Sequence, residues 1–347
     1  MKGLVFTKLG QVELRDVEKP VIINGSDVII RITLTAICGS DLHLIHGHIP
    51  STPGYILGHE YVGVVETVGP DVKKFKRGDR VIGPGTPFCG KCVNCNRGHI
   101  YRCLNGGILG SGPEYGNLQG THCEYTRIPF ADENLIRVPD GLSDEQVLFV
   151  GDILGTGYFA SKNGSIRPGS TVVVVGAGPV GLCTVSAARL FNPKQIILVD
   201  NSSEYRLQVG KKLGATHTIF SKEQEPLAVI NDLTDGNGAD VVIEAVGIEE
   251  TLQQCAHYVS IGGTISIVGV PPQKESLPMF EMFMKNVNVK MGLVDLKYMQ
   301  QIVDMIVAEQ LDLLPLITHR MKLSEIEKAF ELFDKRKDNV IKVVITP

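Results

Sequence analysis

Four cysteines stand close together in the stretch FCGKCVNCNRGHIYRC, as Cys89, Cys92, Cys95 and Cys103. Thiolates at this spacing suit one tetrahedral zinc site. Four of them close its coordination sphere, so the expected role is structural. A redox CxxC would call for a helix after its first cysteine, whereas this segment of Gly, Asn and Lys reads as a loop. A nucleic-acid-binding ribbon would call for interleaved aromatics and a basic face. Here Tyr101 is the sole aromatic inside the cluster, beside Lys91, Arg97 and Arg102.

A second constellation is Gly176-Ala-Gly178-Pro179-Val180-Gly181, which follows the apolar run TVVVV and opens a helical pattern. The first glycine permits a tight turn, the second lets backbone approach a pyrophosphate, and the third lets helix pack on strand. The helix N-terminus supplies the positive end for the phosphates. Asp200 ends the next strand-like run nineteen residues after Gly181. It is placed to accept hydrogen bonds from both adenosine ribose hydroxyls and to repel a 2′-phosphate, which favours NAD. Arg206, close behind it, leaves NADP possible. The alternative is a tight turn in another nucleotide fold, such as a methyltransferase.

A third set is less compact. Cys38-Gly-Ser40-Asp41-Leu-His43 closes one strand-like run, and Gly58-His59-Glu60 opens the next about twenty residues later. Cys38 and His59 each lie beside a glycine, where a metal has room to approach. A catalytic zinc needs three protein ligands and one open position, so a third ligand must come from further along the chain. Cys123, Cys183 and Cys255 lie in apolar, strand-like or helix-like surroundings and read as small buried residues.

These residues must be positioned by a chain of 347 residues, long enough for two cores. Apolar residues make up 43% and charged residues 21%, the balance of a soluble globular protein. With a net charge of −4, no basic surplus points to nucleic acid. The most apolar run, 171–185, is broken by glycines and proline and falls short of the roughly 20 residues that span a bilayer. The N-terminus has no secretory core, so the expected location is cytoplasmic, with no membrane partner.

The first ~150 residues read as short β runs cut by glycine and proline, among them 27–37, 61–69 and 80–83. They suggest a barrel-like, largely antiparallel domain. From Thr171 onward continuous apolar strands alternate with helical patterns, which indicates a parallel sheet covered on both faces. The tail from about Lys297 turns to amphipathic helix and a last strand.

Taken in order, CGSDLH, GHEYVGVVETVG, the four-cysteine loop and GAGPVG with Asp200 resemble the zinc-dependent alcohol dehydrogenases of the medium-chain dehydrogenase/reductase superfamily. The resemblance covers essentially the whole chain. It implies an α/β protein in which residues 1–150 and 296–347 form a mostly β, GroES-like catalytic domain and 151–295 a Rossmann NAD-binding domain.

The resemblance also implies roles for individual residues. Cys38 and His59 become ligands of a catalytic zinc, with Glu60 beside them as a transient ligand. Asp41 would hold the other nitrogen of His59, and Ser40 and His43 would form a proton relay, with His46 and His48 as competitors of His43. The family's third ligand, commonly Cys or Glu, precedes a Thr-Gly pair. Here Asp152 stands before Thr156-Gly157, a departure that matches branches with aspartate. Thr156, Pro179, Val180 and Arg206 join the glycines and Asp200 at the cofactor. The implied enzyme carries two zinc ions per chain and transfers hydride reversibly between an alcohol and NAD, giving a ketone or aldehyde. Secondary alcohols, diols or polyols are favoured. The alternative is an NADP-dependent or formaldehyde-type, aldehyde-processing member. The partners expected are a small-molecule alcohol or carbonyl and further copies of the chain, a tetramer before a dimer.

Overall fold

The computed structural model describes residues 1–271 and 274–347. The chain divides into two compact units. One comprises Met1–Asp152, Asp295–Glu309 and Ile317–Pro347, the other Ile153–Val294 and Gln310–Leu316. Residues 310–316 thus group with the second unit, whereas the sequence reads as one continuous piece from 296 to 347.

The first unit is built on the strand Val28–Ala36, whose β-branched sequence VIIRITLTA is buried almost throughout. It pairs antiparallel with Glu60–Val68 and with the last strand, Lys342–Thr346, in a seven-stranded sheet. Tyr125–Ile128 pairs with Val28–Ala36 as well, and a separate three-stranded sheet carries the N-terminal hairpin Lys2–Lys8 and Gln11–Asp16. All these pairings are antiparallel; only the edge strand Ile317–Lys322 runs parallel to its neighbour.

The register of these ladders gathers residues that are distant in sequence. Ala36 lies opposite Glu60 on one side and opposite Val344 on the other. The ladder therefore brings Cys38, His59 and Lys342 out at the same end of the sheet. Another approach to that end is made by the 3-10 turn Leu148–Gly151. The Gly85 amide donates to the Gly151 carbonyl at 3.0 Å, and a Cβ on Gly151 would overlap the carbonyl of Gly83. This close approach delivers Asp152.

Among the described residues, the second unit holds six parallel strands. Their spatial order is His217–Phe220, Gln195–Asp200, Thr171–Val175, Ala239–Glu244, Val259–Ile267 and Asn288–Met291. Numbered along the unit this is 3-2-1-4-5-6, the order of a doubly wound dinucleotide-binding fold, with its switch point between Thr171–Val175 and Ala239–Glu244. Val173, Val175, Ile197, Val199, Val242 and Ile265 form its buried centre. The helices Ile153–Asn163 and Pro179–Ala188 touch backbone to backbone, because a Cβ at Gly157 would lie 2.7 Å from the Cys183 carbonyl carbon. Among the described residues, no helix is long and apolar enough to cross a membrane.

Candidate metal centres and dinucleotide site

The four clustered cysteines converge as their spacing leads one to expect: one ligand atom from each of Cys89, Cys92, Cys95 and Cys103 lies within 4.8 Å of all the others. Cys92 Sγ stands 3.5 Å from Cys95 Sγ and 3.9 Å from Cys103 Sγ. The edges of a zinc–thiolate tetrahedron with bonds of about 2.3 Å measure about 3.8 Å, so the donor set fits zinc. The segment is not wholly a loop: Cys92 caps a short helix, Val93–Asn96, that carries Cys95. Amides of Cys89, Leu104 and Asn105 point at the sulfurs of Cys103 and Cys92 from 3.2–3.5 Å. Such donors stabilise thiolate, and at Cys92 the backbone amides of Cys95 first and Leu104 second hold the thiol down at about 6. All eight cysteines are free, and Cys123, Cys183 and Cys255 are buried.

The structure brings Cys38, His59, Glu60 and Asp152 together as a second group, again with one ligand atom each inside 4.8 Å. Asp152 Oδ2 lies 3.3 Å from Cys38 Sγ and 3.3 Å from His59 Nε2. A zinc tetrahedron of N, O and S ligands has edges of about 3.3–3.8 Å, so this triangle fits too. Burial pushes the Cys38 thiol up to about 11, and the Asp152 charge adds to the rise. A thiolate here therefore calls for a cation beside it. Burial is the largest single influence and would raise Asp152 as well, but the His59 charge, hydrogen bonds from His59 and Glu60 and the Lys342 charge together outweigh it and hold the carboxyl down at about 2. The buried Glu60 Oε2 has no hydrogen-bond partner, while Oε1 meets Lys342 Nζ at 2.7 Å. Thiolate and Asp152 carboxylate together balance a divalent ion, and Lys342 balances Glu60.

Asp41 is fully buried and sits beside His59, its Oδ1 3.4 Å from Nδ1, and Oδ2 accepts the Cys38 amide at 2.9 Å. Burial would raise this carboxyl, yet the His59 charge and a hydrogen bond from His122 keep it well below the usual range. Were Nε2 to bind a metal, the proton of His59 would sit on Nδ1, the nitrogen turned toward Asp41.

Ser40 and His43 share the short helix Gly39–Ile45, whose N-cap is Cys38. Ser40 Oγ lies 3.7 Å from Cys38 Sγ. His43 Nδ1 faces His48 Nδ1 at 3.3 Å, and His46 Nε2 faces Asp334 at 2.9 Å. Burial, helped by the charges of His48 and His46, lowers the pKa of His43.

In the other unit, Gly176 has φ +101°, the left-handed region, and a Cβ there would strike Val246. A Cβ on Gly181 would overlap the Gly176 carbonyl, so the helix packs on the turn as expected of the third glycine. A Cβ on Gly178 would meet nothing within 4 Å; the space before it is open, as a dinucleotide phosphate requires. Pro179 and Val180 open the helix half-buried, and Thr156 lies half-buried on Ile153–Asn163. Arg206 lies on Glu204–Leu213.

Asp200 ends its strand as expected, but its carboxylate also holds the chain. Oδ1 accepts the Ala177 amide at 3.0 Å, and Oδ2 accepts Ser202 N, Ser202 Oγ and Ser203 N at 2.6–3.1 Å. The other wall of the switch point is shaped by Glu244, fully buried, which accepts Val246 N, Gly247 N and Thr251 Oγ1 at 2.8–2.9 Å.

Sequence reasoning passed over Lys342, His122 and Glu244. The signal for Lys342 was a lysine inside the apolar strand sequence KVVIT, where four of five residues are buried. For His122 it was a histidine in the otherwise small or strand-like THCEYT, and for Glu244 an acid ending the apolar run VVIE.

Known proteins resemble the chain over its whole length. Residues 24–140 match the family model for the alcohol dehydrogenase GroES-like domain, and residues 179–308 the one for zinc-binding dehydrogenases. An alcohol dehydrogenase of Cupriavidus necator is 34% identical over 369 residues, spanning 100% of this chain and 99% of its own. Among solved structures, alcohol dehydrogenase TADH from Thermus sp. ATN1 superposes with a TM-score of 0.93 at 36% identity, covering 100% of this chain and 99% of that one. The apo form of zinc dependent alcohol dehydrogenase 2 from Streptococcus pneumonia gives 0.92 at 38% identity, covering 100% and 98%. Motifs, strand order and whole-length likeness agree, and the chain belongs to the zinc-binding alcohol dehydrogenases of the medium-chain dehydrogenase/reductase family.

Proposed function

We propose that this chain is an NAD-dependent dehydrogenase of small alcohols, secondary alcohols, diols or polyols before primary ones, run reversibly with the ketone or aldehyde. The observation that carries the reading is the triangle of Cys38 Sγ, His59 Nε2 and Asp152 Oδ2, a three-ligand set with Glu60 adjacent. When bound, zinc polarises a hydroxyl oxygen and eases loss of its proton, and the nicotinamide accepts the hydride.

The chain's own residues do the rest. Asp41 keeps the proton of His59 on Nδ1, so that Nε2 offers its lone pair. Ser40, beside Cys38, takes the hydroxyl proton, and the half-buried His43, its pKa lowered, hands it to solvent. Gly176, Gly178, Pro179, Val180 and Gly181 cradle the pyrophosphate at a helix N-terminus, and Thr156 borders the cofactor. Asp200 binds the adenosine ribose. The four cysteines hold a second, structural zinc, which gives two per chain.

An NADP-dependent, aldehyde-processing enzyme is the second reading, favoured by one observation: Asp200 already accepts four donors, which leaves little capacity for ribose hydroxyls. We expect a homo-oligomer, tetramer before dimer; association is supported by the edge strand Asn288–Met291, all four of whose residues are exposed. Beside it in sequence lies the helix Met279–Met284, where Phe280 and Phe283 are more than three-quarters exposed. A panel of alcohols offered with NAD and with NADP, read at the absorbance of the reduced cofactor, tests the reading. Turnover with NAD and a secondary alcohol or diol is expected. No turnover with any alcohol by protein carrying two zinc per chain would refute it.

A further inference from the structure

His122 is fully buried, and the chemistry above makes no use of it. Its Nε2 stands 3.2 Å from Asp41 Oδ2 and its Nδ1 3.1 Å from Thr35 Oγ1. Thr35 Oγ1 in turn lies 2.7 Å from the backbone carbonyl of Glu60 and 3.2 Å from Thr121 Oγ1. A buried row thus runs Thr35–His122–Asp41–His59. One end touches the backbone beside His59, and the other faces the His59 ring.

The proton positions follow from the partners. An ionised Asp41 is an acceptor only, so His122 must present N–H from Nε2. A buried carboxylate is held by its donors, and each lost donor is costly. Asp41 Oδ2 has two in this structure, the Cys38 amide and His122, and Oδ1 is turned toward His59. Take His122 away and one amide alone fixes the plane of the carboxylate that orients His59. The ring also fills the space before Gly58: a Cβ there would lie 2.7 Å from His122 Cγ. The residue preceding His59 is therefore packed against the same ring.

We propose that His122 is a positioning residue of the Cys38–His59–Asp152 centre, acting through Asp41 on the His59 ring and through Thr35 on the backbone at Glu60. The inference rests on the reading of those three residues as zinc ligands.

His122→Phe keeps a ring against Phe330, whose centroid is 5.6 Å away at 82°, and removes both hydrogen bonds. His122→Gln restores a donor toward Asp41. The catalytic position is loaded with cobalt(II) in place of zinc. Its visible and thiolate charge-transfer bands are recorded, as is the rate at which a chelator removes the metal. Partners that orient a ligand are worth about 10- to 100-fold in metal affinity, so release from His122→Phe should be faster by about that factor, with shifted bands and the structural zinc retained. His122→Gln should recover most of the loss. Wild-type bands and a release rate within about twofold in His122→Phe would make His122 mere packing. If that variant does not fold, Thr35→Val leaves His122 in place without its Nδ1 partner. It should shift the bands in the same direction by less, and unchanged bands and release overturn the proposal there too. Failure of the ligand reading shows up separately: a Cys38→Ser variant that keeps both metals and the wild-type cobalt spectrum overturns that reading, and this inference with it.

Discussion

Lys342 Nζ meets Glu60 Oε1 at 2.7 Å, and neither side chain is exposed to solvent. The ammonium also donates to the Ile37 carbonyl at 2.6 Å and lies 5.5 Å from the centroid of the Phe149 ring. Those neighbours precede Cys38, follow His59 and precede Asp152 in the chain. One lysine on the last strand thus touches all three segments that carry the proposed ligands. Burial already pushes the Glu60 carboxyl up to about 8, and removing the lysine leaves it without a partner; breaking a buried pair typically costs about 3–5 kcal/mol. Lys342→Met should therefore lower the unfolding free energy, read from a denaturant titration, by that order, and adding Glu60→Gln should recover part of the loss. A double variant no more stable than Lys342→Met would show that the pair does not carry the effect.

Asp200 joins the strand Gln195–Asp200 to the glycine turn through Ala177 and to the next helix through Ser202 and Ser203. Asp200→Gly removes both the ribose acceptor and these ties. Hydrogen bonds to a charged group are worth about 1.5–3 kcal/mol each, so the KM for NAD should rise at least about tenfold. Repulsion of a 2′-phosphate disappears, and the NADP to NAD ratio of kcat/KM should rise. A wild type that already prefers NADP would transfer the deciding role to Arg206 or a neighbour.

His43 is held below the ordinary histidine range by burial first and by the charges of His48 and His46 second. Its folded-state pKa is thus lower than its unfolded one, so protonation on acidification favours the unfolded chain, and this loss of stability sets in below about pH 6.5. At neutral pH the ring is uncharged and able to take a proton. Alcohol oxidation should fall on the acid side as His43 becomes charged. His43→Gln should slow the reaction most at neutral pH, where the wild-type ring is uncharged, and lose that histidine limb, while its stability should fall less on acidification. Superimposable pH–rate profiles would assign the relay to His48, to His46 or to water.

The strands and the glycine turn were legible because β-branched runs such as TVVVV have few other uses than a buried parallel strand. The four cysteines were legible because their ligand spacing is local. Cys38, His59 and Asp152 needed more. Their meeting depends on Ala36 facing Glu60 across a ladder and on Gly151 approaching Gly83, and no local pattern encodes either. Lys342 was hidden because a lysine in a strand ordinarily points to water. The edge strand Asn288–Met291 gave no signal because all four of its residues are exposed. His122 was passed over because buried hydrogen bonding leaves no trace in spacing.

Asp152 stands at the join of a 3-10 turn and the helix Ile153–Asn163, where an aspartate serves equally well as an N-cap. Its Oδ2, 3.3 Å from both Cys38 Sγ and His59 Nε2, argues for a ligand. The two roles separate under Asp152→Asn, which preserves shape and most capping ability but removes the charge. Loss of a cap costs only about 1 kcal/mol and leaves metal and activity in place. Loss of a ligand leaves Cys38 and His59 to hold a divalent ion with one negative charge between them. The Asn variant should fold with a near-native melting temperature, keep the metal bound by Cys89, Cys92, Cys95 and Cys103, and lose most of the other metal with nearly all turnover. Metal analysis per chain beside initial rates decides it. A variant with two zinc ions and near-native activity would return Asp152 to the role of a cap.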